Sequence, residues 1–171
     1  EEISMEELLY GMMLQSGNDA ATAAAICAGG SLQNFVVQMN QKAEALGCTG
    51  THFTNACGLF DENHYTTAKD MARIAAAAMQ REDFRRIVSA PRWQSAESKR
   101  NFYNKNKTVH QYEGGDGVKI GFTKASGRTL VASATRGDVS LIAVVLRDGN
   151  WFADAYAMLD YGFAVSEGDG R

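Results

Sequence analysis

Residues 117–146 decide the fold, and they read GVKIGFTKASGRTLVASATRGDVSLIAVVL. Within this stretch, residues 129–135 and 139–146 are rich in β-branched and small side chains and are joined by a short turn at 136–138. This pattern predicts an antiparallel hairpin. Residues 117–123 precede the hairpin and are predicted to form a third adjacent strand, so the stretch specifies a small antiparallel sheet.

Helical periodicity dominates the chain on either side of this sheet. Ser4 followed by Glu7 is a capping box that starts a predicted helix over residues 4–14. The other predicted helices are an alanine-rich one capped by Asp19 and ended by Gly29 and Gly30, one capped by Ser31 and stopped by Gly47, one capped by Thr67, a short one over 84–88, and a closing one over 151–161 ended by Gly162. Helices, then strands, then one helix are typical of an α+β domain rather than a βαβ repeat.

Two stretches lack regular periodicity. Residues 48–66 are crowded with Gly, Asn, Asp and His, which predicts a long ordered loop. Residues 98–116 are polar and rich in Asn, Lys and Gly, and we expect them to form an excursion on the surface. The basic run at 99–107, with its two interleaved aromatic residues, is accordingly interpreted as a solvated loop rather than a nucleic-acid patch.

The composition excludes several classes of protein. With 45% hydrophobic residues, 22% charged residues and a single proline in 171 residues, the chain is typical of one globular domain and not of disorder or collagen. A net charge of -3 and dispersed basic residues argue against nucleic-acid binding. The longest apolar run, residues 139–146, is far too short to span a bilayer, so no membrane span is expected. The first residues lack a targeting pattern and lead directly into a helix, which predicts a mature or trimmed product.

Three cysteines, Cys27, Cys48 and Cys57, are too few for a disulfide framework in a chain of this size, and their odd number leaves at least one thiol free. Cys48, His52, Cys57 and His64 lie close together in the predicted loop, and soft ligands of this kind can hold zinc. Their spacing does not match a usual zinc knuckle or finger. We therefore expect no metal, a small buried role for the cysteines and a structural hydrogen bond for His64.

Two short motifs become informative only when they are taken together. Ser16-Gly17-Asn18 lies in the predicted turn between the first two helices, and Lys119-Ile120-Gly121 opens a predicted strand. Each motif is ordinary by itself, because Ser and Asn favour turns and a lysine protects an edge strand. Their order, however, matches part of the series Ser-x-x-Lys, Ser-x-Asn, Lys-Thr-Gly that active-site-serine enzymes reacting with penicillin carry.

The chain resembles the serine D-alanyl-D-alanine carboxypeptidases among the low-molecular-mass penicillin-binding proteins. The resemblance covers essentially the whole chain and is carried by EELLYG at 6–11, SGNDAA at 16–21, NACGL at 55–59, HYTTA at 64–68, GVKIGFT at 117–123, SGRTLVA at 126–132 and DYGF at 160–163. It implies a fold of the β-lactamase and DD-peptidase type, in which an antiparallel sheet packs against helices and a mainly helical subdomain adjoins it. It implies no cofactor.

The resemblance also implies roles for the residues of both motifs. Ser16 would act as a proton relay over the reaction centre, Asn18 would hydrogen-bond the substrate backbone, and Lys119 would supply positive charge. The backbone N–H of Phe122 would be one donor of the oxyanion hole. Together with Phe122, the expected substrate-binding residues are Ile120, Gly121, Thr123 and Arg128.

The chain departs from the family pattern in two places. Ile120 replaces the family threonine, so it cannot donate the hydroxyl hydrogen bond that helps to hold the substrate carboxylate. A hydrogen bond to a charged group is worth about 1.5 to 3 kcal/mol, and we expect roughly ten- to hundredfold weaker productive binding. If another residue holds that carboxylate, Arg128 is the first candidate.

The second departure is that no serine of the sequence has a lysine three residues later. Ser89 and Ser133 have arginine at that spacing, and a guanidinium cannot act as the base. Residues 1–171 are therefore interpreted as one incomplete DD-peptidase catalytic domain, whose Ser-x-x-Lys part lies upstream of this sequence.

The leading hypothesis is a serine carboxypeptidase that removes the terminal D-alanine of peptidoglycan stem pentapeptides through an acyl-enzyme and that β-lactams acylate. The alternative is a catalytically silent peptidoglycan-binding or regulatory module of the same fold. The expected partners are the stem peptide, β-lactams, and either the absent N-terminal segment or a second copy of the chain. An extracytoplasmic location is implied by the resemblance alone.

Overall fold

Seven helices and five strands make up the part of the chain that the computed structural model describes, residues 2–168. The helices are α1 (Met5–Gln15), α2 (Asn18–Gly29), α3 (Leu32–Ala45), α4 (Ala68–Met79), α5 (Glu82–Ser89), α6 (Thr108–Gln111) and α7 (Trp151–Gly168). The strands are β1 (Arg92–Gln94), β2 (Asn101–Tyr103), β3 (Gly115–Thr123), β4 (Gly127–Arg136) and β5 (Val139–Leu146). The predicted α+β class is confirmed.

The main sheet is the predicted three-stranded antiparallel one, with strand order β3-β4-β5. Its register places Lys119 opposite Val131, and Val131 opposite Val144 on the next strand. Because side chains alternate along a strand, these three residues share one face, and the neighbouring residues Ile120 and Leu130 belong to the other.

Each face of the sheet is covered by helices. The face that packs against α7 contains the larger cluster of buried residues, namely Leu130, Ala132, Ala134, Ala143, Val145, Ala155, Leu159 and Phe163. The other face packs against α4 and α5 through a second cluster, which consists of Ala75, Val88, Val118, Val131 and Val144. The sheet is therefore the middle layer of the molecule, and Lys119 extends from the side that faces the helical region.

The small hairpin formed by β1 and β2 packs against α1. Tyr10 of α1 stacks on Trp93 with ring centroids 4.5 Å apart, and Trp93 stacks on Phe102 at 5.9 Å. Glu7 is buried beside these rings and forms an ion pair of 2.8 Å with Arg100. The hydroxyl groups of two serines that hydrogen-bond Glu7, together with the Arg100 guanidinium, hold the pKa of this carboxyl group below its usual range.

The expectation that residues 98–116 form a surface excursion holds for much of the stretch but not for all of it. This stretch contains β2 and α6, and Asn104, Asn106 and Thr108 are buried. Asn104 donates from Nδ2 to the carbonyl oxygens of Val88 (2.9 Å) and Ala90 (3.1 Å). Polar composition did not predict exposure here, because the asparagine side chains bond to backbone groups that no strand or helix satisfies.

Two predicted helix ends also differ from the structure. The N-cap of α2 is Gly17 and not Asp19, whose carboxylate instead accepts from the Ala20 amide at 2.8 Å. The closing helix continues past Gly162 to Gly168. Gly162 serves close packing at this point, since a Cβ there would lie 2.8 Å from a methyl carbon of Leu141 on β5.

Within residues 2–168, no single helix is both long enough and apolar enough to cross a membrane. Only α2 and α3 taken together, across a bend of 83°, meet these requirements of length and composition.

Candidate active site

Ser16 lies where α1 turns into α2, and its backbone is left-handed, with φ 60° and ψ 42°. Its amide donates to the Met12 carbonyl at 3.1 Å, and the Gly17 amide donates to the Gly11 carbonyl at 3.2 Å, so the turn closes the end of α1. A left-handed conformation costs a residue with a side chain about 1 to 2 kcal/mol. The Ser16 hydroxyl makes no capping bond to α2, and its side chain is left exposed at the end of α1.

Lys119 is the residue that meets Ser16. It extends from β3, and its Nζ donates to Ser16 Oγ and, at 2.8 Å, to the carbonyl oxygen of Ile120. Burial, with a smaller contribution from the positive charge of Lys105, lowers the pKa of Lys119 to about 8. Lys119 therefore carries a positive charge at neutral pH and loses it in mildly alkaline solution.

The two residues lie in the wall of a cleft of about 810 Å³ between the sheet, α1 and the loop after α3. Asn18, the first residue of α2, also lines the cleft, and within residues 2–168 its side-chain amide has no hydrogen-bond partner. Among the described residues, no Asp or Glu lines the cleft, whereas Lys119 and Arg147 do. The cleft is therefore suited to an anionic ligand.

The loop over residues 48–66 forms the wall opposite the sheet, and a buried carboxylate holds it in place. Asp70 Oδ2 accepts from the Gly50 amide at 2.8 Å and from the Thr51 hydroxyl at 3.0 Å. Farther along the loop, Asn55 Oδ1 accepts from the amide of Gly58 at 2.7 Å. These bonds keep the NACGL segment, which lines the cleft, in a fixed conformation.

The histidines of this loop are engaged in hydrogen bonds. His64 Nδ1 accepts from the Thr54 amide at 3.1 Å, and His52 Nδ1 lies 2.6 Å from the Asn63 carbonyl. Burial lowers the pKa of His64, so its ring is neutral at pH 7 and can act as this acceptor. The part of the chain that the structure describes contains no group of three or more His, Cys, Asp or Glu side chains placed to hold a metal ion.

Comparison with known proteins agrees with this geometry. The family model described as D-alanyl-D-alanine carboxypeptidase matches residues 1–150. The chain belongs to the D-alanyl-D-alanine carboxypeptidase family. The fold expected from the resemblance is confirmed as well: the chain superposes on a solved structure of the Streptomyces K15 DD-transpeptidase, an S216A mutant, with a TM-score of 0.89 and 32% sequence identity over 95% of the chain.

Curated relatives of the carboxypeptidase family are longer than this chain. The chain is 36% identical to the D-alanyl-D-alanine carboxypeptidase DacF of Bacillus subtilis over 98% of its own length, but it covers 44% of that protein. It is 32% identical to the D-alanyl-D-alanine carboxypeptidase of Streptomyces sp. strain K15 and covers 62% of it. In the K15 structure, 69% of the solved chain is covered.

The structure brings most of the predicted site residues of this carboxypeptidase family member together. The predicted residues that line the cleft are Ser16, Asn18, Lys119, Ile120, Gly121, Phe122 and Thr123. Arg128 is the exception. It lies opposite Phe122 in the sheet, its guanidinium donates to the Gly149 carbonyl at 3.3 Å, and its side chain does not line the cleft.

Ile120 is shared between the core and the cleft. The register aligns it with Leu130 and Val145 on the face that packs against α7, where it contacts the buried cluster. It also lines the cleft, because β3 is an edge strand. Replacing Ile120 by threonine would therefore supply a hydroxyl group at the cost of apolar packing.

Arg147 and Trp151 also line the cleft, and the sequence analysis assigned neither of them to the site. Arg147 directly follows β5 and Trp151 begins α7, and both are about 30 residues along the chain from Lys119. A positively charged residue directly after an apolar strand was the available clue. It became informative only once the register showed that this end of β5 borders the cleft.

Proposed function

We propose that this chain is the larger, C-terminal part of a D-Ala-D-Ala carboxypeptidase domain, which releases the terminal D-alanine of peptidoglycan stem pentapeptides through an acyl-enzyme. The observation that carries the proposal is the hydrogen bond from Lys119 Nζ to Ser16 Oγ, which joins residues 103 positions apart in the sequence. Folding places the two motifs in direct contact, and neither motif requires that contact for its own local structure.

The pair has the chemistry of a proton relay. Because the ammonium group of Lys119 donates to Ser16 Oγ, the hydroxyl proton of Ser16 is free to be donated to a group in the cleft. The pKa of Lys119 is lowered to about 8, so its side chain is charged at neutral pH. This pKa is also close enough to neutral pH for the side chain to give up and regain a proton readily. In this role Ser16 passes a proton to the amine that leaves when the D-Ala-D-Ala bond breaks.

The substrate would lie along β3. Within residues 2–168 the outer edge of this strand has no strand partner, so an extended peptide can add to it by main-chain hydrogen bonds. The backbone N–H of Phe122 would then stabilise the oxyanion of the tetrahedral intermediate, and the free amide of Asn18 would bind the peptide backbone. The absence of acidic side chains from the described cleft wall favours a peptide that ends in a carboxylate.

The attacking serine would come from a segment outside this sequence, since no serine here has a lysine three residues later. The inner wall of the cleft is apolar, with Met13, Met71, Val131 and Leu146 among its lining residues. An apolar segment that carries Ser-x-x-Lys would cover this wall and bring the nucleophile to Ser16. In the described structure β5 is paired on one side only, so a strand of the same segment could extend the sheet there.

Acylation by a labelled penicillin tests the proposal in the full-length protein. We expect one label per molecule, mapped by mass spectrometry to the serine of a Ser-x-x-Lys segment outside residues 1–171. A label on Ser16 would overturn the assignment of Ser16 as a relay. No label at all would favour the catalytically silent module. The relatives are named as carboxypeptidases, which does not support that alternative.

Sedimentation and melting of the 171-residue chain by itself test the need for a partner. An uncovered sheet edge and an exposed apolar wall favour association. We expect the chain either to self-associate or to require the absent segment for a cooperative melt. A compact, cooperatively melting monomer would contradict this part of the proposal.

We place the protein outside the cytoplasmic membrane, where peptidoglycan is located. The support is its membership of a family of cell-wall carboxypeptidases.

A further inference from the structure

The last turn of α1, which ends at Ser16, needs partners from outside the helix. An α-helix leaves its final four carbonyl groups without hydrogen bonds of its own. The amides of Ser16 and Gly17 turn back to carbonyl oxygens earlier in the helix. The carbonyl oxygens of Leu14 and Gln15, directly before Ser16, are left to other donors. The contacts of these two residues therefore determine how firmly the Ser16 turn is held.

Residues 103–105, at the end of β2 and directly after it, supply these contacts. The Lys105 amide donates to the Leu14 carbonyl oxygen at 3.2 Å, and Lys105 Nζ donates to the Gln15 carbonyl oxygen at 2.8 Å. In return, Gln15 Nε2 donates to the Tyr103 carbonyl oxygen at 2.7 Å. The helix dipole also favours a cation at this end of a helix. Three hydrogen bonds thus join this segment to the end of α1.

Asn104, in the middle of this segment, is held on all sides. It is buried, and each of its polar groups makes a hydrogen bond. Its backbone and side-chain N–H groups donate to carbonyl oxygens at the end of α5 and just beyond it, namely those of Val88, Ala90 and Pro91. Its side-chain oxygen accepts from the Asn106 amide at 2.9 Å, and its carbonyl oxygen lies 2.9 Å from Nε2 of His110. The segment that contacts α1 is therefore fixed relative to α5.

The same segment is connected to Lys119 as well. Asn106 Oδ1 accepts at 3.0 Å from the amide of Thr108, the first residue of α6, and α6 packs against β3, the strand of Lys119. Besides burial, the positive charge of Lys105 lowers the pKa of Lys119. Lys105 therefore contacts the turn of Ser16 and acts on Lys119 through space, although it does not itself line the cleft.

We propose that Lys105 is a positioning residue for the proton relay, because it holds the last turn of α1 in the place where Ser16 Oγ contacts Lys119. Gln15 assists through its bond to Tyr103. The inference rests on the proposed function and adds to it a residue outside the cleft on which the relay depends. Because the side chain of Lys105 is exposed, its replacement affects overall stability little, whereas a small displacement of Ser16 slows proton transfer.

The rate of acylation by a labelled penicillin tests the inference in the full-length protein at about pH 6.5, below the pKa of Lys119. Lys105→Met keeps the length of the side chain and removes its donor and its charge. We expect the limiting rate at saturating penicillin to fall about tenfold, with little change in the half-saturating concentration. Gln15→Met breaks the bond to Tyr103 and should lower the limiting rate about threefold. Lys105→Arg retains a charged donor and should react faster than Lys105→Met.

The pH at which the rate falls in alkaline solution separates position from charge. In Lys105→Met this fall should begin at higher pH than in the wild type, because a like charge near Lys119 has been removed. In Gln15→Met it should begin at the wild-type pH, because no charge is removed, while the rate itself is lower. A merely structural role of these residues would not produce this pattern.

Lys99→Met is the matched control. Lys99 Nζ donates at 2.6 Å to a carbonyl oxygen of its own loop, that of Ala96, and the variant should react within about twofold of the wild type. All variants should melt within about 4 °C of the wild type.

Four results would overturn the inference while leaving the proposed function intact. They are rates within about twofold of the wild type in both Lys105→Met and Gln15→Met, an equal loss in Lys99→Met, a Lys105→Arg variant slower than Lys105→Met, and a loss of rate that only follows a lowered melting temperature. A full-length wild type that penicillin does not label would overturn the proposed function and the inference with it.

Discussion

The two turns that join the first three helices use the same residue types in opposite ways. Between α2 and α3, glycine takes the left-handed position, Gly30 at φ 75°, and Ser31 caps α3 by accepting from the Asn34 amide at 3.1 Å. Between α1 and α2, Ser16 takes the left-handed position, and the N-cap Gly17 makes no side-chain bond. The first of these arrangements satisfies local requirements, and the second leaves them unmet.

The proposed relay role of Ser16 gives this difference a functional meaning. The hydroxyl of Ser31 accepts from an amide of its own helix and so contributes to the stability of that helix. The hydroxyl of Ser16 is withheld from its helix and binds Lys119 from the distant sheet. A residue that strains its backbone and leaves a helix uncapped indicates a site when its side chain finds such a partner.

The largest expected effect separates the two serines by activity. In the full-length protein, Ser16→Ala should slow acylation by penicillin at least about a hundredfold, since a positioned proton-transfer group contributes factors of this size. Ser31→Ala, the matched control, should react at a rate within twofold of the wild type. Rapid mixing with a labelled penicillin measures both rates, and equal rates for the two variants would remove the distinction between the turns.

The pH dependence of the acylation rate tests the role of the hydrogen bond between Lys119 and Ser16. Since the pKa of Lys119 is lowered to about 8, the ammonium group is present below that pH and is lost as the pH rises through it. We expect the acylation rate to fall about tenfold per pH unit above pH 8. In Lys105→Gln this fall in the acylation rate should begin at higher pH, because removal of a like charge raises the pKa of Lys119. If the fall began at lower pH, or at an unchanged pH, it would not originate from the titration of Lys119.

Stability measurements should show the reverse order of importance. Ser31→Ala removes a capping bond and should lower the free energy of unfolding of the full-length protein by about 1 kcal/mol. Ser16→Ala removes no capping bond, and because Ser16 is exposed, water can replace its hydroxyl as an acceptor for Lys119, so we expect a change of less than about 0.5 kcal/mol. Urea-induced unfolding of both variants provides the comparison. A larger loss for Ser16→Ala would mean that this turn also supports the fold.

The smallest effect comes from exchanging the left-handed residues. Ser16→Gly relieves backbone strain and should stabilise the protein by about 0.5 kcal/mol, because the added freedom of glycine in the unfolded chain offsets part of the gain. Gly30→Ser should destabilise it by a similar amount. A Cβ on Gly30 meets no atom within 4 Å, so only the backbone conformation is tested there. Thermal unfolding would show opposite shifts for the two variants if the strain is real.

Local patterns predicted the helices and the sheet because those elements depend on neighbours in sequence. The N-cap residues and the apolar periodicity predicted α1, α3 and α4, and the β-branched runs predicted the three-stranded sheet. The same reasoning missed the buried part of residues 98–116. There, Asn104 is buried because it satisfies backbone carbonyls at the end of α5, and composition contains no information about such distant partners.

Sequence by itself determined the family, the two motifs and the missing Ser-x-x-Lys, since these are matters of residue identity and order. Tertiary structure decided which side chains meet. Only the folded chain places Lys119 against Ser16 and turns Arg128 out of the cleft. The physical reason is that strand register and a single left-handed residue determine the face on which a side chain emerges, and neither can be read from residue type.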